Sequence, residues 1–173
     1  MIEERMVALR PLIAADFPAV HSWAQLPEVC RFQTWGPNTL AESQAFTTTA
    51  ARAWAQTPQT RFPYAVTAAG DVVGTAELKL RNPHQAEISY LIHPAHWGRG
   101  LATAAATRLL NLAFHTFGRH RVHATCDPRN LASARVLTKL GMTHEGRLRE
   151  TLLLRDGWRD SDLYAILTHE WPS

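Results

Sequence analysis

The sequence predicts a mixed α/β domain of the α+β kind, and three features carry that reading. Short β-leaning runs alternate with segments of helical periodicity along the whole chain. Two glycine turns, Ala69-Gly70-Asp71 and Asp156-Gly157, each lie between two such runs, as hairpin turns do. An apolar run, Ala86–His93, passes through a glycine-spaced turn into Ala-rich sequence that reads as helix. With 173 residues and 46% hydrophobic content, the chain is expected to form one domain over 1–173 with a sizeable core.

The elements follow in order. Val7–Leu12 alternates and ends at Pro11, which reads as a first strand. Ala14–Gln25 places Phe17, Val20, His21 and Trp23 at helical spacing, with Asp16 near its start. Pro27–Pro37 is irregular and aromatic. Thr39-Leu40-Ala41-Glu42 fits a capping box and opens a second helix to about Ala55. Phe62–Ala69 and Val72–Leu80 are strands of a hairpin, and Ala86–His93 is the next strand. Gly100–Phe117 reads as a long helix closed by Gly118, and Arg121–Cys126 as a strand stopped by Asp127-Pro128. Asn130–Leu140 is a helix with an Asn cap and Gly141 just beyond it. Thr143–Leu154 and Asp160–Leu167 complete a final hairpin.

The stretch between His93 and Thr107 carries the chemistry. A helix start ordinarily favours Ser, Thr, Asp or Asn as cap and acids in its first turn. Here there is no Asp or Glu at all, while His96 and Arg99 sit in the turn. Free first-turn amides, glycines that let a ligand approach and the helix dipole together suit an anion supplied from outside. A dinucleotide fingerprint would need a third glycine and a later acid. A P-loop would need Gly-Lys-Ser/Thr, and the only lysines are Lys79 and Lys139. Neither fits.

Composition excludes several classes. No apolar run approaches the roughly twenty residues of a membrane span. Met1-Ile2-Glu3-Glu4-Arg5 has no apolar stretch behind it, so no leader is expected and the location expected is cytoplasmic. Cys30 and Cys126 lack metal or redox spacing and read as reduced buried thiols. Nine histidines in no ligand pattern suggest no metal site. The net charge of +3 is spread along the chain, which argues against a nucleic-acid surface.

Three blocks give the chain its resemblance. They are Ala86-Glu87-Ile88-Ser89-Tyr90 with Trp97-Gly98-Arg99-Gly100-Leu101-Ala102-Thr103, then Asn130 to Met142 with Glu145-Gly146, then Asp156-Gly157-Trp158-Arg159-Asp160. With Trp35-Gly36-Pro37 they span nearly the whole chain, and in this order they resemble the GNAT superfamily of acetyl-CoA-dependent N-acetyltransferases. The match is nearest to the branch that acetylates ribosomal-protein N-termini, the Rim-type enzymes. That resemblance implies a central twisted, mostly antiparallel sheet of six to seven strands flanked by about four helices.

It also implies roles. The pyrophosphate of acetyl-CoA would lie on the amides of Gly98, Arg99, Gly100, Leu101, Ala102 and Thr103, and its pantetheine arm along Leu91, Ile92 and His93. Amides near Leu91 and Ile92 would polarise the thioester carbonyl. Glu87, which by strand alternation shares a face with Ser89, Leu91 and His93, would accept the proton of the amine through water. A structural carboxylate is the plain alternative. Asn130 would cap its helix and touch pantetheine, and the hydroxyl of Ser133 would bond the leaving sulfur. His93 and His96 are further bases by residue type, His96 being read as a turn residue near phosphate.

The chain also departs from the family. Trp97 stands where many members have Gln or Arg, Leu137 where other branches place a Tyr acid, and Ala104 where Rim-type chains tend to have Glu. Leu152 lies near the place of a catalytic Glu in one line of the family. The acceptor expected is a protein or peptide N-terminus. A small amine and a non-catalytic acyl-CoA-binding module remain the alternatives, and a homodimer stays open. Trp35 and Trp158 are either walls of the acceptor mouth or packing residues, packing being the more usual role of Trp.

Overall fold

Residues 7–172 are described by the structure, a computed structural model. The Met1–Arg5 stretch, where no leader is expected, lies outside them. The strands are β1 Ala8–Pro11, β2 Arg61–Ala68, β3 Asp71–Asn82, β4 Gln85–Ile92, β5 Arg121–Cys126, β6 Thr143–Leu154 and β7 Gly157–Leu167. The helices are α1 Phe17–Ala24, α2 Pro27–Cys30, α3 Leu40–Ala53, α4 Leu101–Asn111 and α5 Leu131–Lys139. The mixed α/β class is as the sequence predicts. One helix more is present than expected, because α2 is a single turn within the aromatic segment read as irregular. The expected long helix after the glycine turn is α4, continued by a π-turn over Leu112–Thr116.

All seven strands form one sheet in the order β1-β2-β3-β4-β5-β7-β6. Every neighbouring pair is antiparallel except β4 and β5, which run parallel. Strand alternation divides the apolar residues between two faces. Phe62, Leu78, Ile88 and Val122 pack with Leu101, Leu109 and Leu110 of α4 and Leu137 of α5. On the opposite face Ala65, with Leu91 beside it, meets Val20 and Trp23 of α1 and Ala50 of α3. The helices thus cover both sides of the strands that carry the glycine-turn motif.

Two caps fix the ends that matter here. Thr39 accepts from the Glu42 amide at 3.3 Å, and the Glu42 carboxylate takes the Thr39 amide at 2.7 Å, so the expected capping box forms. Asn130 accepts from the Ser133 amide at 3.1 Å and starts α5.

Candidate active site

The site arises where the parallel pair comes apart. β4 and β5 are in register only at Gln85↔Arg121, Ala86↔Val122 and Glu87↔His123. Beyond these, β4 runs on to Ile92 and β5 to Cys126 with no further pairing between them. The gap is a wedge, open toward the C-terminal ends of both strands. The His93 amide donates to Val73 at 2.8 Å, and antiparallel ladders alternate, so the Leu91 amide also faces β3. The wedge-facing backbone groups of β4 are therefore those of Tyr90 and Ile92. The amides of Leu91 and His93 are thus used within the sheet, while Leu91 remains a wall of the cleft. The Ile92 carbonyl accepts from the Trp97 indole at 2.7 Å.

Past β4, Pro94–His96 forms a short 3₁₀ turn, and His93 caps it by accepting the Ala95 amide on Nδ1 at 3.0 Å. Burial, then the neighbouring His96, lowers the His93 pKa and favours its neutral form. Gly98 and Gly100 both hold φ of 76°, a conformation that disfavours any residue with a Cβ. Gly100 is the N-cap of α4 and no side chain caps that end. The bonding of α4 back onto itself begins with Ala104, which donates to the Gly100 carbonyl at 3.0 Å. The amides ahead of it are the free donors that a first helical turn offers, in line with the acid-free sequence.

Inside the wedge, Ser133 lies at the start of α5. Its Oγ is 3.3 Å from the Tyr90 hydroxyl, which also donates to the Ser133 carbonyl at 3.3 Å. Burial pushes the Tyr90 pKa far above its ordinary value, the Ser133 bond opposing this and nearby Cys126 adding to it. Burial likewise pushes the Cys126 thiol up to about 11, with a bond from Ser133 acting the other way. Ser133 thus bonds one buried, protonated group, Tyr90, and stands near a second, Cys126. Sequence reading passed over Tyr90, which alternates with the core residues Ile88 and Ile92. Leu137, where other branches have Tyr, is 1% exposed, packs in the core and offers the cleft only an apolar wall.

A cleft of about 870 Å³ continues from the wedge onto the α1/α3 face of the sheet. Glu87, Ser89, Leu91, Asn130 and Ser133 all line it, so these predicted residues are brought together. His93 and the turn Gly98–Thr103 are not among its walls and lie past the end of β4. Glu87 accepts from Arg81 Nε at 2.6 Å, Arg81 Nη2 holds the same oxygen, and His123 Nε2 stands 3.8 Å away. Burial lowers the His123 pKa, against the pull of Glu87.

The cleft's other carboxylates are also engaged. Glu77 pairs with Arg61 at 2.7 Å and Lys79 at 3.6 Å, Asp127 pairs with Arg129 at 2.7 Å, and Glu42 closes its capping box. Phe32, Trp35 and Phe46 add apolar walls, and Leu152 lies where an acid was noted as missing. Trp35 and Trp158 are 37% and 62% exposed, so neither packs in the core of the chain, and Trp35 is a wall of the cleft.

Gly36 fixes the Phe32–Asn38 wall. It holds φ of +72°, and a Cβ there would meet Cys30 Sγ at 2.3 Å. Gly36→Ala combines a left-handed penalty with overpacking, about 2–4 kcal/mol in all. The thermal midpoint should fall by roughly 5–15 °C; an unchanged melt would show that the wall yields freely.

Comparison with known proteins agrees with this geometry. The family model described as acetyltransferase (GNAT) domain matches residues 7–143. An uncharacterized N-acetyltransferase, YnaD of Bacillus subtilis (strain 168), is 38% identical over 88 residues, 51% of this chain and 52% of the relative. The [ribosomal protein uS5]-alanine N-acetyltransferase of Escherichia coli (strain K12) is 33% identical over 88 residues, 51% of this chain and 45% of that protein. The spermidine N(1)-acetyltransferase of the same strain is 27% identical over 104 residues, 59% and 56% of the two chains. The chain spans about half the length of the curated relatives it matches. A crystal structure of a GNAT-family acetyltransferase from Bacillus anthracis superposes with a TM-score of 0.81 at 27% identity, covering 95% of this chain and 96% of the other. With the split sheet, the uncapped glycine turn and a family model matched over most of its length, the chain belongs to the acetyltransferase (GNAT) domain family.

Proposed function

We propose that the protein transfers the acetyl group of acetyl-CoA to a primary amine, the N-terminal amine of a protein or peptide, in the manner of the Rim-type branch. The wedge between β4 and β5 carries this reading, because it offers an extended ligand unpaired backbone beside an anion-suited helix start. The pyrophosphate rests on the Gly98–Thr103 amides, and Asn130 and the Ile92 edge hold the pantetheine arm. The amine nitrogen attacks the thioester carbonyl carbon, the C–S bond breaks, Glu87 takes the amine proton through water, and Ser133 serves the departing sulfur. The ion pairs of Glu77, Glu87 and Asp127, which leave Glu42 as the one cleft carboxylate without a cationic partner among the described residues, favour a peptide over a polyamine, since a polycation would need several carboxylates free of their own partners.

Thiol release from acetyl-CoA, measured with short peptides of varied N-terminus beside spermidine and simple amines, tests the proposal. Peptides should turn over fastest. Faster turnover of spermidine would replace the acceptor class, and no turnover with any amine would leave a binding module.

Gly100→Asp separates folding from cofactor binding. Asp is among the residues best tolerated in the left-handed region and is also a good N-cap, so α4 should persist. Its carboxylate would take the amides meant for phosphate and add like charge. Acetyl-CoA affinity should fall well over tenfold, about 1.4 kcal/mol or more. Unchanged calorimetric affinity in the folded variant would remove the phosphate assignment.

A further inference from the structure

Two cations in the cleft, Arg159 and Arg155, have no ionic partner among the described residues. Arg159 is 9% exposed and is a wall of the cleft. Its Nη1 donates to the Phe32 carbonyl at 3.3 Å and its Nη2 to Ser161 Oγ at 3.0 Å. Its Nε is buried with no hydrogen-bond partner. Among the described residues no carboxylate lies within ion-pair distance of it. The neighbouring acids are matched elsewhere, Asp127 and Asp156 by Arg129, and Asp162 by Arg147. Register fixes where it points. Leu163 pairs with Thr125, and alternation puts Ser161 and Arg159 on the same face of β7, the face of Glu87 and His123 on which the acceptor cleft lies. Arg155, another wall of the cleft, is also without an ion pair and donates to the Cys30 carbonyl at 3.3 Å.

A buried guanidinium with an unused donor is costly unless something pairs with it. We propose that Arg159 recognises an anionic group on the acceptor, so that the preferred amine carries a carboxylate near its nitrogen. This rests on the amine-acetyltransferase reading and sharpens its substrate class. Arg155 adds positive field at the same end of the cleft. The carboxylate comes either from the α-carboxyl of a free amino acid or from an acidic side chain just after a peptide N-terminus.

The test uses two matched pairs: alanine against alaninamide, and Ala-Asp-Gly-amide against Ala-Asn-Gly-amide. Wild-type kcat/KM from thiol release should favour the acid member of one pair by tenfold or more, and the pair that responds names the source. Arg159→Gln should bring that ratio close to one, and Arg159→Lys should restore part of it. CoA affinity and a thermal melt report whether each variant is folded. Equal rates within both pairs would overturn the proposal. Should no amine turn over, binding of the N-acetylated pairs to the CoA-loaded protein is measured calorimetrically. A tighter acid member lost in Arg159→Gln would support the anion site while the transferase reading fails, and equal or absent binding would overturn the anion site as well.

Discussion

Glu87→Gln is expected to lower kcat/KM by ~10²–10⁴-fold, the range of a lost general base, while leaving acetyl-CoA affinity near the wild-type value. The substitution keeps shape and most hydrogen bonding but removes the proton acceptor. Glu87 lines the cleft at the last register position before β4 and β5 part, and Arg81 fixes one of its oxygens. In the proposed mechanism a carboxylate held at the closed end of the wedge would reach the amine through water rather than directly. The acidic limb of the pH–rate profile should therefore flatten in the variant. Raising the pH should partly rescue it, because the acceptor then arrives as free amine. Superimposed wild-type and variant profiles would move the base to His123 or His93. Burial lowers the pKa of both, so each is neutral near pH 7 and loses that basic form only as pH falls. His123→Gln would then show the loss that Glu87→Gln did not.

What the sequence disclosed follows from how locally each feature is encoded. The hairpins were legible because Ala69-Gly70 and Asp156-Gly157 are turn chemistry written in two or three residues. The anion-suited start of α4 was legible because missing acids and spaced glycines leave a local trace, and Gly98 and Gly100 do adopt positive φ. The helix α2 left no such trace, since four residues cannot show a helical period. The split of the sheet was invisible for another reason. β4 and β5 pair across the intervening α4, and no residue in either strand announces where pairing stops. Tyr90 was hidden by alternation, which groups it with the buried Ile88 and Ile92, while its hydroxyl partner Ser133 lies 43 positions away. Arg159 was hidden because a charged residue beside a hairpin turn reads as surface. Its burial comes from the Phe32 loop folding over it.

Ser133→Ala is expected to reduce kcat by ~10–1000-fold with little change in acetyl-CoA affinity. In the proposed role the hydroxyl would meet the sulfur most strongly as negative charge develops on it, so its removal would cost the transition state and not the bound ground state. The surroundings strengthen this expectation. The Tyr90 hydroxyl stands 3.3 Å from Ser133 Oγ, and burial keeps both Tyr90 and Cys126 protonated through the neutral range. Ser133 can therefore donate a hydrogen bond to the departing thiolate with the Tyr90 hydroxyl beside it as a second neutral donor, both keeping their protons. Tyr90→Phe keeps the packing and removes only that hydrogen bond, so it should produce a smaller loss of kcat in the same direction. Together the two substitutions should cost about as much as Ser133→Ala alone, because residues acting as a unit are not additive. Native turnover in Ser133→Ala would reduce Ser133 to the third residue of a capped helix.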